Sequence, residues 1–434
     1  MVSVMKKSKV GIITMGCPKN LVDSEKLAAM LAGEGFEVEH EQADADIIII
    51  NTCGFINDAK EESINEILNH TSRKNANKNL KVIVTGCLTE RYREDLKKEI
   101  PEADVFFGVN EYDKVVEYIT GKSEKLQPER ILGTPAHYAY LKISEGCNRT
   151  CSFCAIPLIR GQHVSVPEEE LLKETELLAL QGVKELIVIA QDTVSYGLDL
   201  YGERRIARLL RKLSEIKGIQ WIRLMYTYPA GFPDDLIEEI AVNPKIVKYI
   251  DLPLQHISTS ILHNMKRSID RESTEALVSK IRSRIPDVAI RSTFIVGYPG
   301  EKASDYTELV QFIKESKFER FGVFAYSPEE STAAFLQKDN IPHKTKMLRM
   351  SGLLRYHEKA SIEFNKKLVG KTLPVIVDEY NADEKCFYGR TPIDAPEIDN
   401  IVRLFVGSDH TLKPGDIVEA KVISSGIFDI DCEF

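Results

Sequence analysis

From residue 10 to residue 325, short runs of branched apolar residues alternate with longer segments whose apolar positions recur at helical spacing. The runs 10–15, 46–51 and 81–85 are rich in isoleucine and valine. Each gives way to a turn carrying glycine or cysteine and then to a helical pattern, at 21–35, 56–71 and 89–100. Continuous apolar runs are what strands buried on both faces look like, and their alternation with helices predicts a parallel α/β sheet. A polar stretch at 121–135 reads as a linker. The alternation then resumes, with strands expected at 139–143, 185–190, 221–225, 247–252, 289–296 and 318–325 and helices at 167–181, 206–216, 234–242, 271–285 and 304–316. Six such units predict a (βα)6 partial barrel, whose ligands would gather at the carboxyl ends of the strands. A long polar helix is expected at 343–368. Beyond residue 370 the pattern changes to short strands divided by turn residues, at 373–379, 401–405, 417–423 and 427–432, as in a small antiparallel β-barrel. The expected domains are 1–120, the linker 121–135, 136–368 and 369–434.

At 434 residues, 43% hydrophobic and 28% charged, the chain has an ordinary globular composition with room for several cores. Its longest apolar runs, such as 47–50 and 186–190, fall far short of the roughly 18 residues of a membrane span, and residues 1–10 lack the apolar segment of a secretory signal. Eight cysteines are too sparse for a disulfide framework, so a cytoplasmic setting with reduced thiols is expected. The net charge is −9, from 57 basic and 66 acidic residues. Residues 370–434 carry six basic and thirteen acidic side chains, a net of −7, so most of the excess lies there. Such a module repels a phosphate backbone, which makes nucleic acid an unexpected substrate. It suits a basic protein partner.

Six cysteines form two groups. Cys147, Cys151 and Cys154 are spaced Cys-x3-Cys-x2-Cys just after an expected strand, with Gly146 before them and Phe153 beside the last. Three thiolates on one short loop suit a soft metal centre. One reading is structural zinc with His163 as fourth ligand; another is a 4Fe-4S cluster with one iron free of protein ligands. Cys17, Cys53 and Cys87 are distant in sequence, yet each follows the end of an expected parallel strand, and in such a sheet those ends share one edge. They would make a second three-thiolate site, or three buried small hydrophobes. Cys386 and Cys432 have no cysteine or histidine company and read as structural.

The run from Cys147 through Asn148, Arg149, Thr150, Cys151, Ser152, Phe153 and Cys154 to Arg160 and Gly161 resembles the cluster loop of radical S-adenosylmethionine (SAM) enzymes. With three upstream cysteines and a C-terminal β-domain, the whole chain resembles the methylthiotransferases, ordered as cluster domain, radical SAM barrel and TRAM domain. One branch of that family modifies tRNA adenosine; the RimO-type branch modifies an aspartate of the twelfth small-subunit ribosomal protein. The stretches 16–25, 190–193, 196–201 and 226–229 resemble the ribosomal-protein branch. So does the loop 327–332, where Ser331 stands in place of an expected glycine.

The resemblance implies two 4Fe-4S clusters and SAM as cofactors. Cys147, Cys151 and Cys154 would bind the cluster whose open iron chelates SAM and yields a 5'-deoxyadenosyl radical. Cys17, Cys53 and Cys87 would bind the cluster that carries the sulfur to be methylated, and both would face one cavity. The substrate would be the β-carbon of an aspartate in that ribosomal protein, free or ribosome-bound; the electron donor is not implied. Phe153, Gln191, Tyr226, Gln255, Gly297 and Glu301 are the candidate cofactor contacts, with Asp192 and His256 beside them. Rival readings are a tRNA adenosine methylthiotransferase and a non-catalytic iron–sulfur or zinc scaffold.

Overall fold

The computed structural model describes residues 8–122, 129–407 and 411–434. Part of the expected linker, 123–128, and most of the leading segment, 1–7, lie outside the described residues. The chain divides into two units: residues 1–134 with 145–148 and 155–163, and residues 135–144 with 149–154 and 164–434.

The first unit is built on a parallel five-stranded sheet, in the order Glu37–His40, Lys9–Thr14, Ile47–Thr52, Lys81–Gly86 and Val105–Phe106. The all-buried strand Ile47–Thr52 lies at its centre, with Ile49 in register with Ile12 on one side and Ile83 on the other. Alternate side chains feed two cores. Ile48, Ile50, Val82 and Val84 meet Ile67 and Leu88 on one face; Ile12, Ile47, Ile49 and Ile83 meet Leu27, Leu31 and Val115 on the other. Sequence pattern missed the two edge strands and the helix Tyr112–Thr120. The edge strand Glu37–His40 alternates exposed glutamates with half-buried residues, so it has no apolar run to read, as befits an edge kept unattractive to other chains.

The second unit contains a six-stranded parallel sheet whose strands neighbour one another in chain order: Tyr138–Lys142, Glu185–Ile189, Trp221–Leu224, Ile246–Asp251, Ala289–Val296 and Arg320–Ala325. The helices Glu168–Leu180, Ile206–Glu215, Asp234–Val242, Arg271–Arg284 and Ala303–Ser316 connect them, as expected of a partial barrel. After the helix His343–Lys366, a closed five-stranded barrel follows, formed by Thr372–Asn381, Cys386–Arg390, Val402–Phe405, Ile417–Ser425 and Ile430–Glu433. Four of its pairings are antiparallel, but Val402–Phe405 and Ile430–Glu433 run parallel. A ring with an odd number of strands cannot alternate direction all the way round, so the wholly antiparallel barrel expected from sequence is geometrically closed to it. Cys432 lies in the apolar core of this barrel.

Each strand of the parallel sheet offers a polar side chain to the segment 390–399. Glu185 Oε2 pairs with Arg390 at 2.6 Å and its Oε1 with Arg223 at 2.8 Å. Arg223 also donates to the Pro392 carbonyl, Arg320 to Asp394 at 2.7 Å, Tyr138 to Glu397 and Tyr249 to Asp399, while Arg291 faces Asp399 at 3.5 Å. Among the described residues no helix is long and apolar enough to cross a membrane.

Candidate metal centres and their surroundings

Within the first unit, Cys17, Cys53 and Cys87 follow the carboxyl ends of three adjacent strands. Cys17 is the N-cap of the helix Pro18–Gly33, and Cys87 opens the helix Cys87–Glu99, so two of the three thiols sit at helix N-termini. Gly16 has φ +89°, and a Cβ there would fall 2.6 Å from Cys53 Cβ and 2.8 Å from its Sγ; glycine is what lets the two loops meet. Asn20 is fully buried and fastens the edge, donating to the carbonyls of Met15 at 2.9 Å and Thr52 at 3.1 Å. Its Oδ1 accepts from Arg160 at 2.5 Å and from the Cys87 thiol at 3.6 Å. Ser63 Oγ both accepts from the Cys53 amide and donates to the Cys53 carbonyl. Arg160, also buried, approaches Cys87 Sγ at 3.5 Å and is neutralised by Asp23 at 2.7 Å and Glu145 at 3.0 Å.

Burial pushes the Cys87 thiol up to about 12, against the opposing pull of Arg160, and raises the Cys53 thiol as well. A metal centre displaces such protons, because a coordinating thiol is deprotonated outright. The donor set fits a soft, anionic centre: three thiols on one sheet edge, two of them at helix N-termini, and one guanidinium touching a sulfur.

The second cysteine group lies on the segment 147–154, which is neither helix nor strand. Gly146, at φ +73°, leads into it, and the Cys147 amide donates to the Gly161 carbonyl at 3.1 Å. Ser152 pins the following turn in the second unit. Its amide donates to Met265 O, its carbonyl accepts from the Ala334 amide, and its hydroxyl bonds Asn264 O and the Tyr298 hydroxyl. The Cys154 amide closes the turn on the Cys151 carbonyl at 3.1 Å. Cys151 Sγ receives Arg267 Nη1 at 3.6 Å and lies 3.9 Å from the Tyr228 hydroxyl. The Tyr228 ring lies between two guanidiniums, with Arg149 3.9 Å and Arg267 4.1 Å from its centroid. Burial raises the Tyr228 phenol to about 12 even against Arg267. Arg149 is paired with Asp192 at 2.7 Å, whereas the Arg267 side chain, 6% exposed, also donates to the Pro253 carbonyl and, among the described residues, has no carboxylate partner and leaves Nε unbonded. A buried cation against a sulfur again fits an anionic thiolate centre.

Among the described residues, no three His, Cys, Asp or Glu side chains converge on one ion. A cluster offering one iron per thiolate spreads its ligands wider than the four around a single zinc. His163 is buried and donates its amide to Asn148 Oδ1.

The remaining sequence candidates are placed as follows. Phe153 packs with Ile295, Tyr298 and Tyr326. Gln255 bridges to Phe294 of the strand Ala289–Val296, at φ +72°, and its side-chain carbonyl is buried with no partner among the described residues. Tyr226 follows the strand Trp221–Leu224 at φ +57°, its amide held by Asp251 Oδ2 at 2.9 Å, while Asp251 Oδ1 accepts from Arg291 at 3.0 Å. Two non-glycine residues in the left-handed region near strand ends mark backbone held against its preference. Gln191 follows the strand Glu185–Ile189. Gly297 turns at φ +74° where a Cβ would strike Lys346, and Glu301 holds that turn by accepting the Gly297 and Tyr298 amides while facing Arg349 at 3.1 Å. Phe153, Gln255, Gly297 and Glu301 thus gather around the end of one strand, Ala289–Val296, while Tyr226 and Gln191 lie at the ends of two others. Sequence reading passed over Arg267 and the sulfur contacts of Tyr228 and Arg160. Arg160 and Tyr228 lie inside stretches quoted for the resemblance, but nothing in the sequence around Arg267 announces its place.

Comparison with known proteins defines the class first. The model of the uncharacterized protein family UPF0004 matches residues 9–108, that of the radical SAM superfamily residues 141–313, and that of the TRAM domain residues 369–434. Among solved structures, the radical SAM methyltransferase TsrM from Kitasatospora setae superposes at a TM-score of 0.54, with 14% identity over 73% of either chain. The cobalamin-dependent SAM radical enzyme OxsB reaches 0.53, with 13% identity over 82% of this chain and 62% of that one. These structural likenesses carry the fold. Over full length, the ribosomal protein uS12 methylthiotransferase RimO of Flavobacterium johnsoniae is 48% identical across 98% of both chains. That of Caldanaerobacter subterraneus subsp. tengcongensis is 46% identical across 98% of this chain and 99% of its own. The chain belongs to the RimO family of radical SAM methylthiotransferases.

Proposed function

We propose that this chain transfers a methylthio group to the β-carbon of an aspartate in ribosomal protein uS12, in the cytosol, with SAM serving as both methyl donor and radical source. The observation that carries the reading is identity of 44–48% over 98% of the chain to proteins that bear this name. The proposal divides the chain into a cluster domain at 1–120, a linker at 121–135, a radical SAM barrel with its exit helix at 136–368 and a TRAM barrel at 369–434.

In this reading Cys147, Cys151 and Cys154 hold the cluster that meets SAM, and Cys17, Cys53 and Cys87 hold a second one. A 4Fe-4S cluster, when bound, supplies the electron that opens SAM to a carbon radical, giving hydrogen abstraction from an unactivated carbon that side-chain acids and bases do not reach. The protein's own part is placement. Ser152 fixes the turn between Cys151 and Cys154, and Tyr228 and Arg267 lie against the Cys151 sulfur. Asp251, braced by Arg291, holds Tyr226, and Glu301 keeps the turn at Gly297 in shape. Phe153, Gln191, Tyr226, Gln255, Gly297 and Glu301 are proposed to contact SAM or substrate.

The acidic C-terminal barrel supports a basic protein as substrate. Asp378, Asp394 and Asp399 are spent inward on arginines and a histidine, and Arg390 with them. Among the described residues of 370–434, nine acidic and five basic side chains remain, still an excess of acid.

The test is mass spectrometry of uS12 and of total tRNA from cells with and without the gene. Loss of one methylthio group from uS12 with tRNA unchanged supports the reading; loss from tRNA overturns the choice of substrate. In vitro, SAM-dependent formation of 5'-deoxyadenosine that disappears in Cys151→Ala separates an enzyme from a passive scaffold.

A further inference from the structure

A cavity of about 710 Å³ opens in the second unit beside the cysteine loop. Thr150, His263, Lys266, Arg267, Gln337 and Lys338 are among its lining residues, none of the lining residues is acidic, and Lys266, His263 and Lys338 are exposed. Among the described residues neither lysine nor Arg267 is paired with a carboxylate. In a chain of net charge −9 this is a concave concentration of unbalanced positive charge.

Its position gives the charge a use. Thr150 precedes Cys151 in the chain, and Arg267 both lines the cavity and donates to Cys151 Sγ at 3.6 Å. One buried side chain therefore spans the distance from an accessible basic hollow to a sulfur that the radical SAM reading assigns to the cluster. That chemistry needs an electron delivered from outside the chain. We infer that this cavity is the docking site of an acidic one-electron carrier protein, whose carboxylates meet Lys266, Lys338 and His263 and whose redox group is thereby brought next to the Cys151 loop. One electron leaves the carrier's reduced flavin and enters the iron–sulfur centre; the carrier is oxidised by one electron, the centre reduced by one, and no bond is made or broken. The alternative anion, an RNA backbone, is served better by an extended basic stripe than by a hollow next to a redox loop.

The inference rests on the radical SAM reading, and the experiment keeps the two apart. The probe is purified acidic flavodoxin, in its reduced form for kinetics and its oxidised form for binding, presented to full-length protein reconstituted anaerobically. Cluster reduction is followed by stopped-flow absorbance and binding by isothermal titration, across a range of ionic strengths. Photoreduced deazariboflavin, small and uncharged, serves as a second reductant that needs no docking. Lys266→Glu/Lys338→Glu is expected to weaken flavodoxin binding and slow flavodoxin-driven reduction by about tenfold or more and to flatten their salt dependence, with deazariboflavin-driven reduction unchanged. Lys338→Glu alone, on a loop, should give a smaller loss in the same direction and covers the case in which the double variant folds poorly. Unchanged flavodoxin affinity in both variants, or equal slowing with both reductants, overturns the proposal. So does charge reversal that abolishes binding of a ribosomal RNA oligonucleotide while sparing flavodoxin. If deazariboflavin reduces no cluster in the unaltered protein, the radical SAM reading fails instead.

Discussion

His256 gives a pH dependence of stability that can be worked from the structure. It follows Gln255 and is fully buried. Its Nδ1 accepts the Ser258 amide at 3.0 Å, so the neutral ring carries its proton on Nε2, which has no partner among the described residues. Burial is the main reason its pKa falls to about 4; Arg349 lowers it further, and Asp305 pulls the other way without prevailing. In the unfolded chain the same ring titrates near 6.5. Below that value the unfolded state binds a proton that the folded state refuses. The stabilisation from keeping the ring neutral is therefore complete above pH 6.5 and is lost as pH falls from 6.5 towards 4. Integrated over that window the loss is about 3 kcal/mol, of which about 1 kcal/mol falls between pH 7.5 and 5.5. The chain has a single tryptophan, Trp221, buried in the same parallel sheet, so urea unfolding followed by its fluorescence reads this unit directly. His256→Asn keeps an acceptor for the Ser258 amide and cannot titrate. Its stability should fall by about 1 kcal/mol less than that of the unaltered protein between the two pH values, compared in the same cluster state. Parallel pH profiles for the two proteins would refute the reasoning.

Three further outcomes are expected. Ser331 sits at φ +65°, so Ser331→Gly should raise the melting temperature through a gain of about 0.5–1 kcal/mol, with iron content unchanged; a loss of stability would show that the serine side chain matters more than the strain. Glu185→Ala leaves Arg223 and Arg390 buried without their shared carboxylate and should cost about 3–5 kcal/mol in urea unfolding read by Trp221, a small effect meaning that the arginines find other partners. Gly16→Ala drives a Cβ into Cys53 and should lower iron and sulfide content after reconstitution towards that of a Cys17→Ala variant; full loading would mean that the loop yields without harm to the site.

Much of the architecture was legible because its signals are strong. The unbroken isoleucines of Ile47–Thr52 mark a strand buried on both faces, and the strands of the second sheet recur in chain order, each beside its predecessor. What escaped were elements without a run of branched apolar residues, such as Glu37–His40 and the short strand Cys386–Arg390, and a property of the whole ring, the parallel pair forced by five strands. The candidate site divides the same way. Six cysteines announce themselves by type and spacing. Arg160 and Arg267 acquire meaning only from the sulfurs they touch, because an arginine in a sequence is by default a solvated one. Ser331 joins the two levels: a glycine was expected there, and the positive φ shows the backbone demand behind that expectation.

The bonds between the segment 390–399 and all six strands of the parallel sheet bear on how freely domains of this family can be exchanged. Here a transplant carrying foreign residues in that segment would leave Arg320 and Tyr249 buried without the Asp394 and Asp399 carboxylates they meet, and Glu185 without Arg390. The barrel and the sheet it plugs would have to be inherited together, and specificity would change more cheaply on the barrel's outer loops than by replacing it whole.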